Sequence, residues 1–251
     1  MKTLGKYFPK EIKHYREPFL GGGSVALWVA KNYPDADIWV NDLYYNLYCF
    51  WDVLQKDPNS LMNHLWNIKS SIGDDGDLGR VLFYDIKSKI STATDFEKAV
   101  YIFVLNRMSF SGLGESSGIS VSAQKSNFSF SSINKLGVYS RIIQNWKITN
   151  TDYRQMYDDD VFIFHDPPYE IDSKLYGKGG KLHTDFDHDE FADACNASKA
   201  TQMITYNSDQ NVMNRFASWK QIEWDLTYTM RSDAKYTQAQ KERKELILLN
   251  Y

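Results

Sequence analysis

A short motif toward the end of the chain combines residue types that could hold an aromatic amine. Asp166-Pro167-Pro168-Tyr169 directly follows an apolar run, Val161 to His165. The lone pair of an aromatic amine is delocalised into its ring, so the nitrogen is a poor nucleophile. The Asp166 carboxylate and the Pro167 carbonyl could each accept one of its N–H bonds and aim the lone pair at an electrophile. The Tyr169 ring offers a face on which a flat base can stack, worth about 1–3 kcal/mol.

The position of this motif decides between a site and an ordinary surface turn, since Asp-Pro is a common turn pair. The apolar run before it is typical of a buried strand, and proline has no N–H with which to continue a central strand. The loop is therefore expected at the carboxyl end of the strand, the edge at which open α/β sheets bind ligands. This placement favours a functional site.

A second motif, Phe19-Leu20-Gly21-Gly22-Gly23-Ser24, follows a short aromatic strand that begins at Tyr15. Glycines here let the backbone approach a ligand closely, and the next helix presents free N–H groups. Ser24 is expected to cap that helix. Asp42 follows about 20 residues after the glycines, a position suited to hydrogen bonding with ribose hydroxyls. A glycine cluster alone is weak evidence, but with Asp42 it predicts a nucleotide-like ligand.

The elements that must position these motifs alternate between strand and helix at both ends of the chain. Strands are predicted at Tyr15–Phe19, Ile38–Val40, Lys147–Thr149, Val161–His165 and Met203–Tyr206, with Gln221–Met230 and Glu245–Tyr251 as a closing antiparallel pair. Helices are predicted over 24–31 and 187–198. The pattern indicates an α/β fold with a mostly parallel sheet and an antiparallel closing strand. Residues 1–55 and 148–251 are expected to form this domain.

The alternation is interrupted between residues 56 and 147, which are expected to form a mainly helical and loop insertion. Helices are predicted around 58–70 and 95–107, and the Ser/Gly/Asn-rich passage from Ser109 to Asn134 is predicted to be loops. From Arg80 to Lys147 there are nine basic and four acidic residues, in a chain whose net charge is -3. Such a basic segment could bind phosphates, or it could be an ordinary solvated face.

Taken together, these motifs resemble the Dam-like (D12 class) N6-adenine DNA methyltransferases. The resemblance covers nearly the whole chain, in the family's order. It is carried by Glu17-Pro18-Phe19-Leu20-Gly21-Gly22-Gly23-Ser24, Asn41-Asp42, Leu105-Asn106-Arg107 with Phe110-Ser111-Gly112, Asp166-Pro167-Pro168-Tyr169 and the closing Lys244 to Tyr251. The resemblance implies a Rossmann-like class I methyltransferase sheet with a target-recognition insertion. It also implies S-adenosylmethionine as the cofactor and adenine in double-stranded DNA as the substrate. A cognate restriction endonuclease is compatible with the resemblance as a further partner.

The resemblance also implies roles for individual residues. Asp166, Pro167, Pro168 and Tyr169 would form the catalytic loop, with Tyr169 stacked on the flipped base and no metal required. The cofactor would contact Phe19, Gly21, Gly23, Asp42, Asp166 and, as a looser match, Asp152 and Tyr153. DNA would contact basic residues of the insertion: Arg107, Lys125, Lys135 and Arg141. The family's usual Gly-Gly-Lys element upstream of the glycine motif has no counterpart here, since Gly5-Lys6 lies too close to Phe19. We expect the missing element to be encoded upstream of Met1, which would mean that the coding region starts earlier.

Two other functions stay open at this point. Methylation of cytosine N4 needs the same amine chemistry, although those enzymes more often have serine in place of Asp166. A catalytically weakened fold could instead serve only to bind DNA. This alternative is disfavoured because the motif residues Asp42, Asp166 and Tyr169 are all present. His165 is expected to be a packed, hydrogen-bonded histidine. The His183–His188 segment fits no standard metal-ligand spacing.

The remaining features of the sequence concern the compartment. Cys49 and Cys195 fit no metal or redox spacing, which favours reduced thiols in a cytoplasm. No apolar run approaches the roughly 20 residues that span a bilayer, and we find no signal peptide. The sequence therefore predicts a soluble cytoplasmic protein without a membrane partner.

Overall fold

One sheet organises the protein. Its strands are β1 (His14–Glu17), β2 (Asp37–Asn41), β3 (Lys147–Thr149), β4 (Phe162–His165), β5 (Thr201–Asn207), β6 (Lys220–Asp225) and β7 (Lys244–Leu249). The computed structural model describes residues 1, 3–170, 184–225 and 244–251, and within them the strand order is β3-β2-β1-β4-β5-β7-β6. β1 to β5 pair in parallel, whereas β7 is antiparallel to both β5 and β6. The predicted sheet, mostly parallel with an antiparallel closing strand, is confirmed.

Helices occupy most of the remaining described chain. They are α1 (Ser24–Asn32), α2 (Tyr45–Lys56), α3 (Pro58–Ile72), α4 (Gly76–Lys89), α5 (Asp95–Met108), α6 (Val121–Ser126), α7 (Phe130–Asn134), α8 (Leu136–Ile142), α9 (His188–Ala197) and α10 (Gln210–Arg215). The prediction that the Ser/Gly/Asn-rich passage is loops was wrong in part, because α6 and α7 lie in it. Side chains of Ser120 and Ser129 accept hydrogen bonds from the first turns of these two helices, so serine begins a helix here.

Apolar residues pack against both faces of the sheet. Every residue of β4 is buried, which accounts for its uninterrupted apolar sequence. On β5, Met203 belongs to one apolar cluster and Ile204 to another, because successive side chains of a strand point to opposite faces. The first cluster also includes Phe50 of α2 and Phe103 of α5, whose rings stack at 5.8 Å. The helices that follow α2 thus share a core with the sheet.

Candidate active site

The parallel strands bring both sequence motifs to one edge of the sheet. β1, β2 and β4 end at Glu17, Asn41 and His165, so the glycine turn, Asp42 and the Asp-Pro-Pro-Tyr loop all begin there. Glu17 is buried, and the nearby charges of Asp166 and Asp42 both raise its pKa, although burial is the largest cause. The Tyr15 hydroxyl donates to Glu17 at 2.5 Å. Carboxyl groups from three separate parts of the chain therefore surround one cleft.

The glycine turn has a backbone conformation that residues with a side chain rarely adopt. Gly21 and Gly23 have φ of 51° and 67°, in the left-handed region that favours glycine. A Cβ on Gly23 would lie 2.6 Å from a ring carbon of Trp51, whose indole N–H donates to the Gly21 carbonyl at 3.1 Å. The expected Ser24 cap was wrong: Gly23 precedes α1 and, as the N-cap residue, makes no side-chain hydrogen bond to the helix. Instead, the buried carboxyl of Glu17 accepts a hydrogen bond from the backbone N–H of Ala26 in the first turn of α1.

Asp42 is joined to this turn by hydrogen bonds. Its carboxylate accepts from the backbone N–H of Gly21 at 2.8 Å and from that of Tyr44 at 2.9 Å. Burial raises the pKa of Asp42 to about 7, although the Gly21 hydrogen bond acts in the opposite direction. The side chain is half-buried, so the carboxylate still faces the cleft on one side. It can therefore accept further hydrogen bonds from a ligand's hydroxyl groups.

Asn41 holds together the ends of three strands beneath the cleft. Its side-chain amide donates to the carbonyls of Pro18 at 3.1 Å and Thr151 at 3.0 Å. Its side-chain oxygen accepts from the Thr151 backbone N–H at 2.8 Å and the Thr149 hydroxyl at 2.9 Å. The side chain is fully buried, and its hydrogen bonds fix the glycine turn relative to the loop that carries Asp152. Sequence reasoning noted Asn41 only as part of a family motif.

Aromatic rings form a wall on one side of the cleft. Tyr153 lies 5.6 Å from Phe19 and 5.5 Å from Phe191, measured between ring centroids. The structure thus brings two predicted cofactor contacts, Phe19 and Tyr153, side by side. The neighbouring Asp152 carboxylate is bound at both oxygens by the Arg154 guanidinium, at 2.7 Å each. Asp152 therefore lies next to the wall with an ion pair of its own.

The Asp-Pro-Pro-Tyr loop is anchored to β5 and β7. The Thr205 hydroxyl donates to Asp166 Oδ1 at 2.8 Å, and the Tyr169 hydroxyl donates to Glu245 Oε2 at 2.7 Å. The Tyr169 ring also stacks on the Tyr206 ring at 5.8 Å. Asp166 stays exposed to the cleft, while Pro167 is buried and Pro168 half-buried. An acid at the cleft surface is thus held on a stiff, anchored loop.

His165 contributes packing rather than acid–base chemistry. It is fully buried, and its Nε2 hydrogen-bonds with the Gln202 side-chain oxygen at 3.2 Å. Burial lowers its pKa to about 3, so the ring is neutral at physiological pH. The expectation of a packed, hydrogen-bonded histidine is confirmed.

The other histidine segment shows no metal-binding arrangement where it is described. His188 Nδ1 hydrogen-bonds with the Tyr206 hydroxyl, and His183 lies outside the described residues. Among the residues that the structure describes, no three His, Cys, Asp or Glu side chains are grouped so that they could hold a metal ion.

The four predicted DNA contacts lie on different helices. Arg107 is half-buried on α5, with its guanidinium 5.3 Å from the Phe103 ring. Lys125, Lys135 and Arg141 are exposed, and none of the four forms an ion pair among the described residues. The turn after α8 is bound to the last turn of α2, where Gln55 Nε2 donates to the Ile143 carbonyl at 2.6 Å. Since α2 starts at the cleft and is about 18 Å long, Arg141 lies toward its far end, away from Asp166.

Sequence reasoning assigned Thr205 no role in the site and placed Glu245 only within the closing family motif. Thr205 is bound to Asp166 and Glu245 to Tyr169, residues that lie 39 and 76 positions earlier in the chain. Both residues lie within strands whose local pattern indicates only burial. The order of β4, β5 and β7 in the sheet was the missing information.

The fold and the cleft together define a class of protein. A parallel sheet with a reversed seventh strand, a glycine turn after β1 and an acid after β2 is the arrangement of Rossmann-like class I methyltransferases. The chain also matches the family model of the D12 class N6 adenine-specific DNA methyltransferases over residues 1–230, and it belongs to that family. It is a site-specific methyltransferase that acts on adenine in DNA, which decides against the cytosine alternative.

A curated relative agrees with the family assignment. The chain is 26% identical over 209 residues to the Type II methyltransferase M.MjaIII of Methanocaldococcus jannaschii, an alignment that covers 76% of this chain and 72% of the relative. No helix among the described residues is long and apolar enough to cross a membrane.

Proposed function

We propose that this protein transfers the methyl group of S-adenosylmethionine to N6 of an adenine that is flipped out of double-stranded DNA. The observation that carries the proposal is the meeting of Asp42 and Asp166 at one cleft, each fixed by hydrogen bonds. The proposal places the donor over the glycine turn and the target amine at Asp166. The cofactor half of the cleft is thus the side of the glycine turn and Asp42, and the substrate half is the side of Asp166.

The residues of the cleft fit S-adenosylmethionine. A Cβ built on Gly21 or Gly22 meets nothing within 4 Å, so the space above the turn is open to a ligand. Asp42 would accept hydrogen bonds from the ribose hydroxyls, while Phe19 and Tyr153 would contact the apolar part of the molecule. The carboxyl groups around the cleft favour a cationic ligand. When bound, S-adenosylmethionine supplies a methyl group already activated by its sulfonium centre.

The catalytic loop would orient the acceptor nitrogen. Asp166 and the Pro167 carbonyl would each accept an N–H of the adenine amine, so that the nitrogen lone pair points toward the cofactor half of the cleft. Tyr169 would stack on the base, with its ring held by the bond to Glu245 and by Tyr206. Asp166 acts as a hydrogen-bond acceptor and need not be the final base. A base inside a duplex cannot reach this loop, so it must be flipped out, at a cost of a few kcal/mol.

The helices between α2 and β3 would provide DNA recognition. We assign this role to residues 56–147, with Arg107, Lys125, Lys135 and Arg141 as phosphate contacts. Cys49 and Cys195 are buried, free thiols, which supports a role in the cytoplasm. The Type II name of the relative supports a cognate restriction endonuclease as a partner.

The test is transfer of labelled methyl from S-adenosylmethionine to unmethylated genomic DNA, followed by nucleoside analysis and sequencing of the modified sites. We expect label in N6-methyladenine at a defined sequence. Asp166→Ala should abolish transfer and largely spare cofactor affinity, while the matched control Asp160→Ala, an exposed acid in the turn before β4, should behave as the wild type. Label in N4-methylcytosine, or binding of DNA without any transfer, would overturn the proposal.

A further inference from the structure

A threonine on the neighbouring strand lies beside the catalytic acid. β4 and β5 pair in parallel with His165 opposite Ile204, which places the next residues, Asp166 and Thr205, side by side. The Thr205 hydroxyl donates to Asp166 Oδ1 at 2.8 Å and lies 3.3 Å from the His165 carbonyl oxygen. A hydroxyl has one proton, and a bond to a charged oxygen is the stronger of the two. Thr205 is 5% exposed, so this hydroxyl is in place before any substrate arrives.

The bond from Thr205 holds Oδ1 of Asp166 and leaves the rest of the carboxylate open to the cleft. Asp166 itself is exposed to the cleft, so its carboxylate has lone pairs available for a substrate N–H beyond the one taken by Thr205. Without the Thr205 hydroxyl, the carboxylate would lose its hydrogen bond to β5 and would be held less firmly in one orientation. A small error in the position of a reacting group is costly, because the rate depends on a near-attack geometry.

The surroundings of Asp166 act on its pKa in both directions. The residue is exposed on its cleft side, while desolvation of the rest of the carboxyl raises its pKa and hydrogen bonds from Thr205 and Tyr169 lower it. From β1 the buried carboxyl of Glu17 faces it, and Asp42 lies near Glu17. From β7, Glu245 competes for the Tyr169 hydroxyl, and His165 is neutral. Thr205 therefore stabilises the carboxylate form from a buried position on β5, whereas the Tyr169 hydroxyl also has Glu245 as an acceptor.

Resting on the proposed function above, we propose that Thr205 is a positioning residue for methyl transfer, whose hydroxyl orients Asp166 so that the carboxylate accepts an N–H of the target amine. The hydroxyl also favours the ionised carboxylate, which is the form that accepts this bond. Thr205 does not touch the reacting atoms. Its effect should therefore be seen in the turnover rate and its pH dependence, with cofactor affinity unchanged.

The experiment compares Thr205→Val, Thr205→Ala and Thr205→Ser with the wild type. Thr205→Val keeps the shape and removes the hydroxyl, Thr205→Ser restores it, and Thr201→Val is a matched change at the opposite end of the same strand. For each variant, kcat for N6-methyladenine formation is measured across pH, with calorimetric cofactor affinity and thermal unfolding as controls. Thr205→Ala takes the place of Thr205→Val if the valine variant fails to fold.

We expect Thr205→Val and Thr205→Ala to lower kcat about ten-fold at neutral pH, the effect of losing one hydrogen bond to a charged group. The acid limb of their kcat–pH profile should move upward by about one pH unit, because the carboxylate has lost a stabilising donor. Thr205→Ser and Thr201→Val should match the wild type. An unchanged kcat and pH profile in both hydroxyl-free variants would overturn the inference. A wild type that forms no N6-methyladenine would instead overturn the proposed function.

Discussion

The backbone N–H of Gly21 donates to the carboxylate of Asp42 at 2.8 Å, and this one bond joins the glycine turn after β1 to the acid after β2. The bond explains how an acid in a crowded cleft keeps its place without a cationic partner among the described residues. Although this bond lowers the pKa of Asp42, burial raises it to about 7, so the charge of Asp42 changes near physiological pH.

Cofactor affinity should increase as pH rises through 7. In the proposed binding mode the ribose hydroxyls donate to Asp42, so they would bind its ionised form, and that form is depleted below its pKa of about 7. The dissociation constant for S-adenosylmethionine, measured by calorimetry at pH 6 and pH 8, should therefore be smaller at pH 8. Asp42→Asn should weaken binding at pH 8 and remove most of the pH dependence. An equally steep pH dependence in Asp42→Asn would show that another group controls binding.

The free energy of unfolding should fall as pH rises. Asp42 has a pKa of about 7 in the folded protein against an ordinary value of 3.8, so between these values the folded state binds more protons than the unfolded state. Its contribution is present below about pH 4 and lost as pH passes 7. Glu17 and Asp166 also have raised pKa values and act in the same direction. Urea unfolding of the ligand-free protein at pH 5 and pH 8 measures the difference, which Asp42→Asn should reduce.

Substitution of neighbouring glycines should have opposite outcomes. Gly23→Ala forces a left-handed φ on alanine and places a Cβ 2.6 Å from Trp51, so we expect a loss of ~2 kcal/mol or more in unfolding free energy. Gly22→Ala is the matched control, because its Cβ meets nothing within 4 Å. Its stability should stay within about 0.5 kcal/mol of the wild type. Equal stabilities for the two variants would contradict this account of the turn.

Removal of the Asn41 side chain should disturb the cofactor half of the cleft. Asn41→Ala leaves the carbonyls of Pro18 and Thr151 without their donor, at a cost of roughly 1–3 kcal/mol in stability. Cofactor affinity should fall as well, because the glycine turn and the Asp152 loop are no longer fixed. Asn63→Ala, an exposed position on α3, serves as the control. Unchanged stability and affinity in Asn41→Ala would argue against a role in positioning.

The proposed phosphate contacts can be tested through salt dependence. For each of Arg107, Lys125, Lys135 and Arg141, substitution by alanine should reduce the slope of log K against log salt by about one if that residue binds a phosphate. Lys199→Ala is the control, since Lys199 lies near Asp159 at 3.8 Å and precedes β5. An unchanged slope for Arg141→Ala would limit the DNA surface to the side of the protein near the cleft.

Local sequence patterns predicted most of the sheet. β3 was predicted with its observed bounds, and β4 and α9 were found to within a residue or two, because burial and capping leave clear local signals. α4 was not predicted, since its two glycines lower helix propensity. It forms because Asp75 caps its first turn and because Gly79 leaves room for the buried Gln124 side chain, which a Cβ would meet at 2.1 Å. That contact involves α6, a helix that local reasoning had predicted to be a loop.

The sequence by itself determined the motifs, their order and the class of chemistry, because an acid, two prolines and a tyrosine after an apolar strand limit what the loop can do. Tertiary structure alone decided which residues hold that loop. Thr205 and Glu245 reach Asp166 and Tyr169 only because β5 and β7 follow β4 in the sheet. The hydrogen bonds of the cleft form only when these strands are adjacent. Strand order depends on the packing of the whole sheet, and no local periodicity encodes it.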